Sequence, residues 1–366
     1  MATETDQMQT NTKPIRVLVV DDSAVMRKLI SNLLEKDDEI TVVATAMDGI
    51  FALAKLEQFR PDVVTLDVDM PRADGLSILR QIVAQSAVPV VMLSSLTATG
   101  ARTAMEALEI GAVDVVCKPK TAARIGEVAK ELIEKVKAAT HGRIRQGEGV
   151  AVRPGEGARA RASGREVKIV AVGASSGGPH ALRQWLPQIP ADFPCPIVIA
   201  QHLPETFTTT FAKWLDEICQ IEVREAKAGD PVVPGCALIA PGDAHLTVRR
   251  KAAGVEAVLD RSGLVNGHMP SVEVLFRSVA AEYGSEAVAL IMTGMGDDGA
   301  EGVGEIKRRG GHTIAQDEES CMIFGMPKVA IRRGYVDQVI PLNRIAEYLV
   351  ATVGLTTKAE IRGNAK

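Results

Sequence analysis

Short apolar runs alternate with longer segments of helical periodicity through the first part of the chain. The apolar runs predict strands, which lie at 15–20, 40–44, 62–66, 88–93 and 113–116. Apolar residues recur every three or four positions at about 24–35 and 122–137, which predicts helices with one buried face. Strands that alternate with helices are typical of βαβ units. Residues 14–138 are therefore predicted to form an α/β domain around a parallel sheet.

The same alternation resumes further along and predicts a second, larger α/β domain over 167–356. Its predicted strands are 167–172, 196–201, 237–240, 287–293, 313–316 and 336–340. Its predicted helices are 179–186, 206–219, 271–283, 299–309 and 342–353. Segment 244–259 is predicted instead to form a β-hairpin. Between the two domains, residues 139–166 alternate glycine with charge and bury too little apolar surface to fold, so they are predicted to be a flexible linker.

Composition and charge narrow the classes of function. The apolar content is 46% and the aromatic content only 3%, which fits buried parallel sheets rich in aliphatic residues. The net charge of −4 gives no basic field that would favour nucleic acid. The five cysteines form no CxxC pair, so neither a zinc site nor a disulfide framework is expected. Because signal-peptide and membrane-spanning patterns are both missing, we expect a cytoplasmic protein without direct membrane insertion.

Polar residues follow the predicted strands of the first domain. They are Asp21 and Asp22, Asp67, Ser94 and Lys118. The carboxyl ends of parallel strands share one edge of a sheet, so these side chains are predicted to lie close together. Crowded carboxylates require a cation, and oxygen ligands favour Mg²⁺. One aspartate would be explained as a helix cap, but repetition at successive strand ends favours phosphoryl transfer to a carboxylate.

With Asp74-Gly75 and Lys118-Pro119 included, the first domain resembles a two-component response-regulator receiver. The resemblance implies that Asp67 accepts a phosphoryl group and that Ser94 and Lys118 contact it. It also implies an Mg²⁺ site formed by Asp21, Asp22, Asp67 and the backbone carbonyl of Asp69. Many receivers carry an aromatic switch residue on the fifth strand, where this chain has Val115. We therefore do not expect a rotating aromatic ring to transmit the signal.

The second domain contains a predicted strand–loop–helix joint at 173–178, which reads Gly-Ala-Ser-Ser-Gly-Gly. Backbone N–H groups at the start of the helix would point above Ser175, where they suit either a phosphate or an oxyanion. A nucleophilic serine needs a base and a group that orients the base. Of the six histidines, only His202 directly ends a strong apolar strand. Asp297 and Asp298 follow another such strand, and spacing alone does not choose between them.

Segment 294–299 also fits the G-x-G-x-x-G pattern of dinucleotide binding, with Asp317 and Glu318 about 20 residues further on. Two aspartates inside this turn would repel a pyrophosphate, and the pattern is weak alone. A second alternative is a response regulator whose output is binding rather than catalysis. A DNA-binding output would require a basic helical module, which the second domain does not display.

Six segments of the second domain resemble the CheB family of chemotaxis methylesterases. They are 173–178, 201–204, 241–245, 270–272, 293–299 and 324–327. The resemblance implies a catalytic triad of Ser175, His202 and Asp298, since the family's acid directly precedes the last glycine of its loop. It implies an oxyanion hole from the backbone N–H groups of Ser176 and Met295. Ser176 stands where the family often has threonine.

The resemblance also implies the fold and the function. The fold would be a five-stranded, flavodoxin-like parallel receiver followed by a Rossmann-like, doubly wound α/β methylesterase domain. The enzyme would hydrolyse glutamyl γ-methyl esters on methyl-accepting chemotaxis receptors, and some members of the family also deamidate glutamine. A chemotaxis histidine kinase would be the phosphodonor and Mg²⁺ the receiver's cofactor, whereas ester hydrolysis would need none. The unphosphorylated receiver would cover the active-site edge.

Overall fold

The computed structural model describes residues 13–70, 75–95, 97–118, 125–141, 166–252 and 254–354. The strands of its first sheet are β1 (Ile15–Val20), β2 (Ile40–Ala46), β3 (Val63–Asp67), β4 (Val90–Ser94) and β5 (Asp114–Cys117). The helices of this domain are α1 (Ala24–Leu34), α2 (Gly49–Phe59), α3 (Gly75–Gln85), α4 (Ala98–Ile110) and α5 (Ile125–His141). The strand order is β2-β1-β3-β4-β5 with parallel pairing throughout. This is the flavodoxin-like order, which confirms the predicted parallel sheet.

Local sequence explains where several of these helices begin. The side chains of Ser23, Asp48 and Thr97 each accept a hydrogen bond from a backbone N–H in the first turn of α1, α2 and α4. Strands β3 and β4 are buried along their whole length because helices cover both faces of the sheet. Helix α5 continues to His141, beyond the predicted start of the linker. Asp74, Pro119 and linker residues 142–165 lie outside the described residues.

The second domain is built on another parallel sheet, of strand order β14-β13-β12-β6-β7-β9-β8. Its strands are β6 (Ile169–Ala174), β7 (Ile197–Gln201), β8 (Glu222–Glu225), β9 (Cys236–Ile239), β12 (Ala287–Ile291), β13 (His312–Gln316) and β14 (Gln338–Ile340). The predicted hairpin is confirmed as β10 (His245–Lys251) paired antiparallel with β11 (Gly254–Asp260). After β6 the following strands add to the sheet on one side, ending at β8. After β12 they add on the opposite side, ending at β14. The β6–β12 pair is therefore the topological switch point, where ligands bind in such sheets.

The helices of the second domain are α6 (Gly178–Trp185), α7 (Glu205–Asp216), α8 (Val272–Tyr283), α9 (Ala300–Arg308), α10 (Met326–Arg332) and α11 (Ile345–Thr352). Sequence patterns predicted neither β8 nor α10. The β8 sequence Glu-Val-Arg-Glu is polar because the strand lies at the sheet edge. Helix α10 has only 7 residues, which is too short for a clear helical period. Helix α7 ends at Asp216, earlier than expected, and a 3₁₀ turn (Leu342–Arg344) precedes α11.

The two domains contact each other through α4 of the first and α6 and α7 of the second. The Trp214 indole N–H donates to Glu109 Oε1 at 2.5 Å. The Arg183 guanidinium lies over the Trp214 ring, 5.4 Å from its centroid, and 3.9 Å from Glu109. Met322 packs against the apolar cluster of the first domain. None of the helices among the described residues combines the length and the apolar character needed to cross a bilayer.

Candidate active site

Ser175 lies at the switch point, in the loop between β6 and α6. Its backbone N–H donates to the carbonyl of Thr293 at 3.0 Å, which joins it to the loop that follows β12. The Gly178 N–H donates back to the Ser175 carbonyl at 2.8 Å. Gly294 packs so closely that an added Cβ would lie 2.7 Å from the Ser175 Cβ. The main chain of Ser175 is therefore held by the loop that follows β12 and by the start of α6.

His202 directly follows β7 and reaches Ser175 from the adjacent strand. Its Nδ1 lies 3.0 Å from Ser175 Oγ and its Nε2 lies 2.9 Å from Asp298 Oδ2. With Asp298 ionised, Nε2 carries the proton that Asp298 accepts, and Nδ1 accepts from the serine hydroxyl. Asp297 points away into solvent, where its carboxylate lies 3.5 Å from Arg333. The structure thus brings together Ser175, His202 and Asp298, and leaves Asp297 outside.

Asp298 is buried, with only 1% of its surface exposed, at the amino terminus of α8. The Ser271 hydroxyl and the Asn266 amide donate to its Oδ1 at 2.8 and 2.9 Å, and the Val272 N–H donates to its Oδ2 at 2.7 Å. Burial alone would raise the pKa of Asp298, but the hydrogen bond from His202 and the other donors hold it well below its usual value. Asp298 therefore stays ionised beside His202 at neutral pH.

Two peptide groups present their N–H groups beside Ser175. The Ser175 carbonyl accepts from the Gly178 N–H at 2.8 Å and from the Gln201 side chain at 2.9 Å. The Gly294 carbonyl accepts from two backbone N–H groups, those of Gly325 and Met326, at 3.0 and 2.9 Å. In a trans peptide, the next N–H points opposite to the carbonyl. Within the described ranges, the N–H groups of Ser176 and Met295 donate to no protein acceptor, so both are available to an anion.

Three residues that contact this site were not predicted. Gln201 is buried, and its side-chain amide donates to the backbone carbonyls of Ser175 and His202 at 2.9 and 3.2 Å. The His268 ring stacks on His202, with centroids 3.9 Å apart and planes 14° apart. Asn266 donates to Asp298, as described above. A sequence signal did exist for the last two residues, because Asn266-Gly267 is a strong turn sequence that leads directly into His268.

The first domain assembles its predicted acidic pocket at the carboxyl edge of its sheet. Oxygens of Asp21, Asp22 and Asp67 lie within 4.8 Å of one another. Lys118 Nζ lies 2.7 Å from Oδ2 of both Asp21 and Asp67. Burial opposes the charged form of Lys118, but its hydrogen bonds with these two carboxylates raise its pKa. The Asp69 N–H donates to Asp67 Oδ1 at 3.0 Å, which keeps Asp69 beside the cluster.

Ser94 lies at the end of β4 next to this pocket. It is buried, and its hydroxyl is 3.3 Å from the carbonyl of Ser95. Strand β4 pairs with β3 in the register Asp67↔Leu93, so Ser94 follows the residue opposite Asp67. The Val115 side chain is buried on β5.

The sequence matches two protein families: CheB methylesterase over residues 170–349 and response regulator receiver domain over 17–130. A protein-glutamate methylesterase/protein-glutamine glutaminase from Koribacter versatilis is 48% identical over 353 residues, which cover 93% of this chain and 96% of the relative. One from Rhizobium johnstonii is 45% identical over 361 residues, covering 93% of this chain and 98% of that protein.

A solved structure gives the same result for the second domain. The crystal structure of the Thermotoga maritima CheB methylesterase catalytic domain superposes with a TM-score of 0.50 and 42% identity, covering 51% of this chain and 98% of that one. Both the extent of the sequence matches and the geometry at the switch point agree with this likeness. The chain therefore belongs to the CheB methylesterase family and carries an amino-terminal response-regulator receiver domain.

Proposed function

We propose that this chain is a phosphorylation-regulated protein-glutamate methylesterase that acts on methyl-accepting chemotaxis receptors in the cytoplasm. In this proposal residues 14–138 are the receiver, 139–166 the linker and 167–356 the catalytic domain. The observation that carries it is the hydrogen-bonded series from Ser175 Oγ through His202 to Asp298, at the switch point of a CheB-family sheet. A serine, a base and an orienting acid in this geometry are the requirements of acyl transfer.

The reaction follows from the positions of these three side chains. His202 Nδ1 takes the hydroxyl proton as Ser175 Oγ attacks the ester carbonyl carbon, and Asp298 stabilises the resulting imidazolium through Nε2–H. His202 then gives the proton to the departing methoxide, which leaves as methanol. Water next loses a proton to His202 and attacks the glutamyl-serine ester. Collapse of this second intermediate returns the proton to Ser175 and releases glutamate.

The backbone N–H groups of Ser176 and Met295 would donate hydrogen bonds to the oxyanion of each tetrahedral intermediate and stabilise its negative charge. Support for this role comes from the paired donors on the carbonyls of Ser175 and Gly294, which fix the two peptide planes before substrate arrives. Pre-oriented donors cost no reorganisation during the reaction, and losing one such donor typically lowers kcat by about 10²–10³-fold. The triad and these donors need no cofactor for ester hydrolysis.

Glutamine deamidation is the second activity of this proposal. The relatives from Koribacter and Rhizobium are named both methylesterase and glutaminase. Attack of Ser175 on a glutamine side chain would give the same acyl-enzyme, with ammonia leaving in place of methanol. His202 supplies the proton in either case. The reaction differs only in its leaving group, so it uses the same residues.

In the receiver, Asp67 is the proposed phosphorylation site and a chemotaxis histidine kinase the proposed phosphodonor. The donor set fits Mg²⁺, because the three clustered carboxylates offer hard oxygen ligands and carry excess negative charge. Asp21, Asp22, Asp67 and the backbone carbonyl of Asp69 would hold the ion, which neutralises charge around a phosphoryl group. Ser94 would donate a hydrogen bond to that group, and Lys118 would pair with it.

The receiver would control the esterase through the contact between α4 and helices α6 and α7. Glu109 links to Trp214 and Arg183 across this contact. Met322 packs on the receiver's apolar cluster, and its Cβ would lie 2.6 Å from a Cβ added at Gly177, in the loop beside Ser175. Docking therefore reaches the edge of the active site. Phosphorylation at Asp67 would shift the balance from docked to open.

The test is release of methanol from membranes that carry radiolabelled, methylated receptor. The full-length chain should release methanol slowly alone and faster with acetyl phosphate and Mg²⁺. Ser175→Ala should abolish release, with a loss approaching about 10⁶-fold in kcat by comparison with other triads. Asp67→Asn should keep the basal rate and lose the stimulation. Methanol release that survives in Ser175→Ala would contradict the proposed enzyme.

A further inference from the structure

One turn beside the active site contacts two members of the triad. Val265 and His268 exchange backbone hydrogen bonds of 3.1 and 3.0 Å across Asn266 and Gly267. Asn266 has a φ of 53° and Gly267 a φ of 81°. Positive φ at both central residues defines a type I′ turn, for which Asn-Gly is a preferred sequence. Residues 265–268, termed here the Asn-Gly turn, therefore have a backbone that local sequence already favours.

The first side chain of the Asn-Gly turn fixes the acid. Asn266 Nδ2 donates to Asp298 Oδ1 at 2.9 Å, whereas the opposite oxygen, Oδ2, accepts from His202 at 2.9 Å. A carboxylate is planar, so a donor that holds one oxygen also sets the direction of the other. Asn266 shares Oδ1 with the Ser271 hydroxyl, which donates to it at 2.8 Å, and the two donors together aim Oδ2 at His202.

The last side chain of the Asn-Gly turn fixes the base. The His268 ring lies parallel to His202, with centroids 3.9 Å apart and an angle of 14° between planes. Burial lowers the pKa of His268 to about 4, so the ring is neutral at neutral pH and adds no like charge. The stack covers one face of His202 and does not block the ring nitrogens, which bond to Ser175 and Asp298. It therefore limits rotation of the ring away from Ser175 and Asp298.

We propose that Asn266 and His268 are positioning residues that hold Asp298 and His202 in their reactive orientation. The inference rests on the proposed esterase function and assigns neither residue a contact with substrate. Misplacement of a reacting group by about 1 Å costs about 10²-fold in rate, so modest disorder in either side chain should be visible in kcat. Because both residues contact the triad and not the substrate, a change at either one should affect turnover more than substrate binding.

Four variants separate the side chains from the turn that carries them. Asn266→Gly removes the amide while glycine keeps the positive φ. Asn266→Asp also suits a type I′ turn, but replaces the donor by a carboxylate facing Asp298. His268→Ala removes the stacked ring, and His268→Phe restores a ring that has no ionisable group. Asn343→Asp, at an exposed asparagine of the 3₁₀ turn before α11, is the matched charge control.

Steady-state methanol release is measured with full-length chain, methylated receptor membranes and Mg²⁺, both with and without acetyl phosphate. We expect kcat to fall about 10-fold or more in Asn266→Gly and His268→Ala, with KM changed by no more than about twofold. Asn266→Asp should be slower than Asn266→Gly, because two facing carboxylates repel. His268→Phe should recover most of the wild-type kcat, and Asn343→Asp should equal the wild type.

Each opposing result overturns the positioning role. Wild-type kcat in Asn266→Gly and His268→Ala would do so, as would a His268→Phe variant no faster than His268→Ala. A rise in KM at constant kcat would place the turn in substrate binding instead. A defect seen only without acetyl phosphate would place it in the receiver contact, since Lys130 Nζ lies 3.5 Å from a Cβ added at Gly267. If His268→Ala fails to fold, the comparison of Asn266→Gly with Asn266→Asp still decides. Loss of all release in Ser175→Ala tests the esterase itself, so the two failures are distinguishable.

Discussion

The buried side chain of Gln201 joins the proposed nucleophile to its proposed base, because its amide donates to the backbone carbonyls of both Ser175 and His202. Gln201 ends β7, and the residue after it is His202. The same amide contributes one of the two donors that orient the Ser175–Ser176 peptide. A single polar side chain thus serves the serine, the histidine and one proposed oxyanion donor.

Gln201→Glu should disturb Ser175, His202 and the Ser175–Ser176 peptide together, because an ionised carboxylate has no hydrogen to donate and repels the two carbonyl oxygens. We expect kcat to fall at least about 10-fold, and the free energy of unfolding to fall by about 1–3 kcal/mol as buried acceptors lose their partner. Methanol release and urea denaturation measure the two effects. Gln188→Glu, at an exposed glutamine, is the matched control and should change neither. A fully active Gln201→Glu enzyme would show that the amide does not orient the site.

The Glu109–Trp214 hydrogen bond joins the two domains, so its loss should shift the balance from docked to open chains. Glu109→Ala removes the hydrogen bond from Trp214 and the weaker contact with Arg183. Such a hydrogen bond is typically worth about 1 kcal/mol, or about fivefold in the balance between docked and open chains. The unphosphorylated variant should therefore release methanol faster than the wild type. With acetyl phosphate and Mg²⁺ the two proteins should converge, because the wild type is then already open.

Glu106 provides the comparison, since it is exposed on the same helix, α4, one turn earlier. Glu106→Ala should keep the basal rate of the wild type. Equal stimulation by both substitutions would point to a general loosening of α4 rather than to release of the docking contact. Unchanged rates in Glu109→Ala would show that this hydrogen bond does not restrain the receiver.

His268 predicts a pH-dependent loss of stability. Its pKa in the folded chain is about 4, below the value of about 6.5 for an unperturbed histidine. Above pH 6.5 both states are neutral and the full stability is present. As the pH falls from 6.5 toward 4, the unfolded chain takes up a proton that the folded chain resists, and stability is lost.

The phenylalanine side chain of the His268→Phe variant cannot take up a proton. The variant should therefore lose less stability than the wild type as the pH falls. We expect its free energy of unfolding to drop by about 1–2 kcal/mol less than that of the wild type between pH 7 and pH 5. Urea denaturation at the two pH values measures the difference. The pKa of His180 is also lowered by burial, so the variant should still retain part of the slope. Identical slopes in both proteins would show that His268 does not resist protonation.

Much of the fold was predictable because its strands are apolar runs of sheet length. The runs ending near Asp21, Asp67 and His202 all became strands, and parallel pairing then brought their carboxyl ends to one edge of each sheet. The placement of Ser175 and His202 followed from this rule. In the second domain, the elements that escaped prediction, β8 and α10, lack the apolar pattern because one is a polar edge strand and the other is a single short helix.

The contacts around the triad were less predictable, for a physical reason. Asp297 and Asp298 differ only in which side of a tight loop they face, and that depends on α8 arriving with its free N–H groups. His268 follows no apolar strand, so the turn signal of Asn266-Gly267 places it in a loop but does not connect it with His202. Such contacts are made between segments distant in the chain, and the period of a single segment carries no information about them.

The pairing of β6 with β12 has a consequence for synthesis of the chain. Ser175 follows β6 and Asp298 follows β12, so more than a hundred residues must be made after the nucleophile before its acid exists. A growing or truncated polypeptide lacks the proposed acid beside His202 until β12 joins the sheet beside β6. Full esterase activity is therefore expected only after β12 has joined the sheet and brought Asp298 to His202.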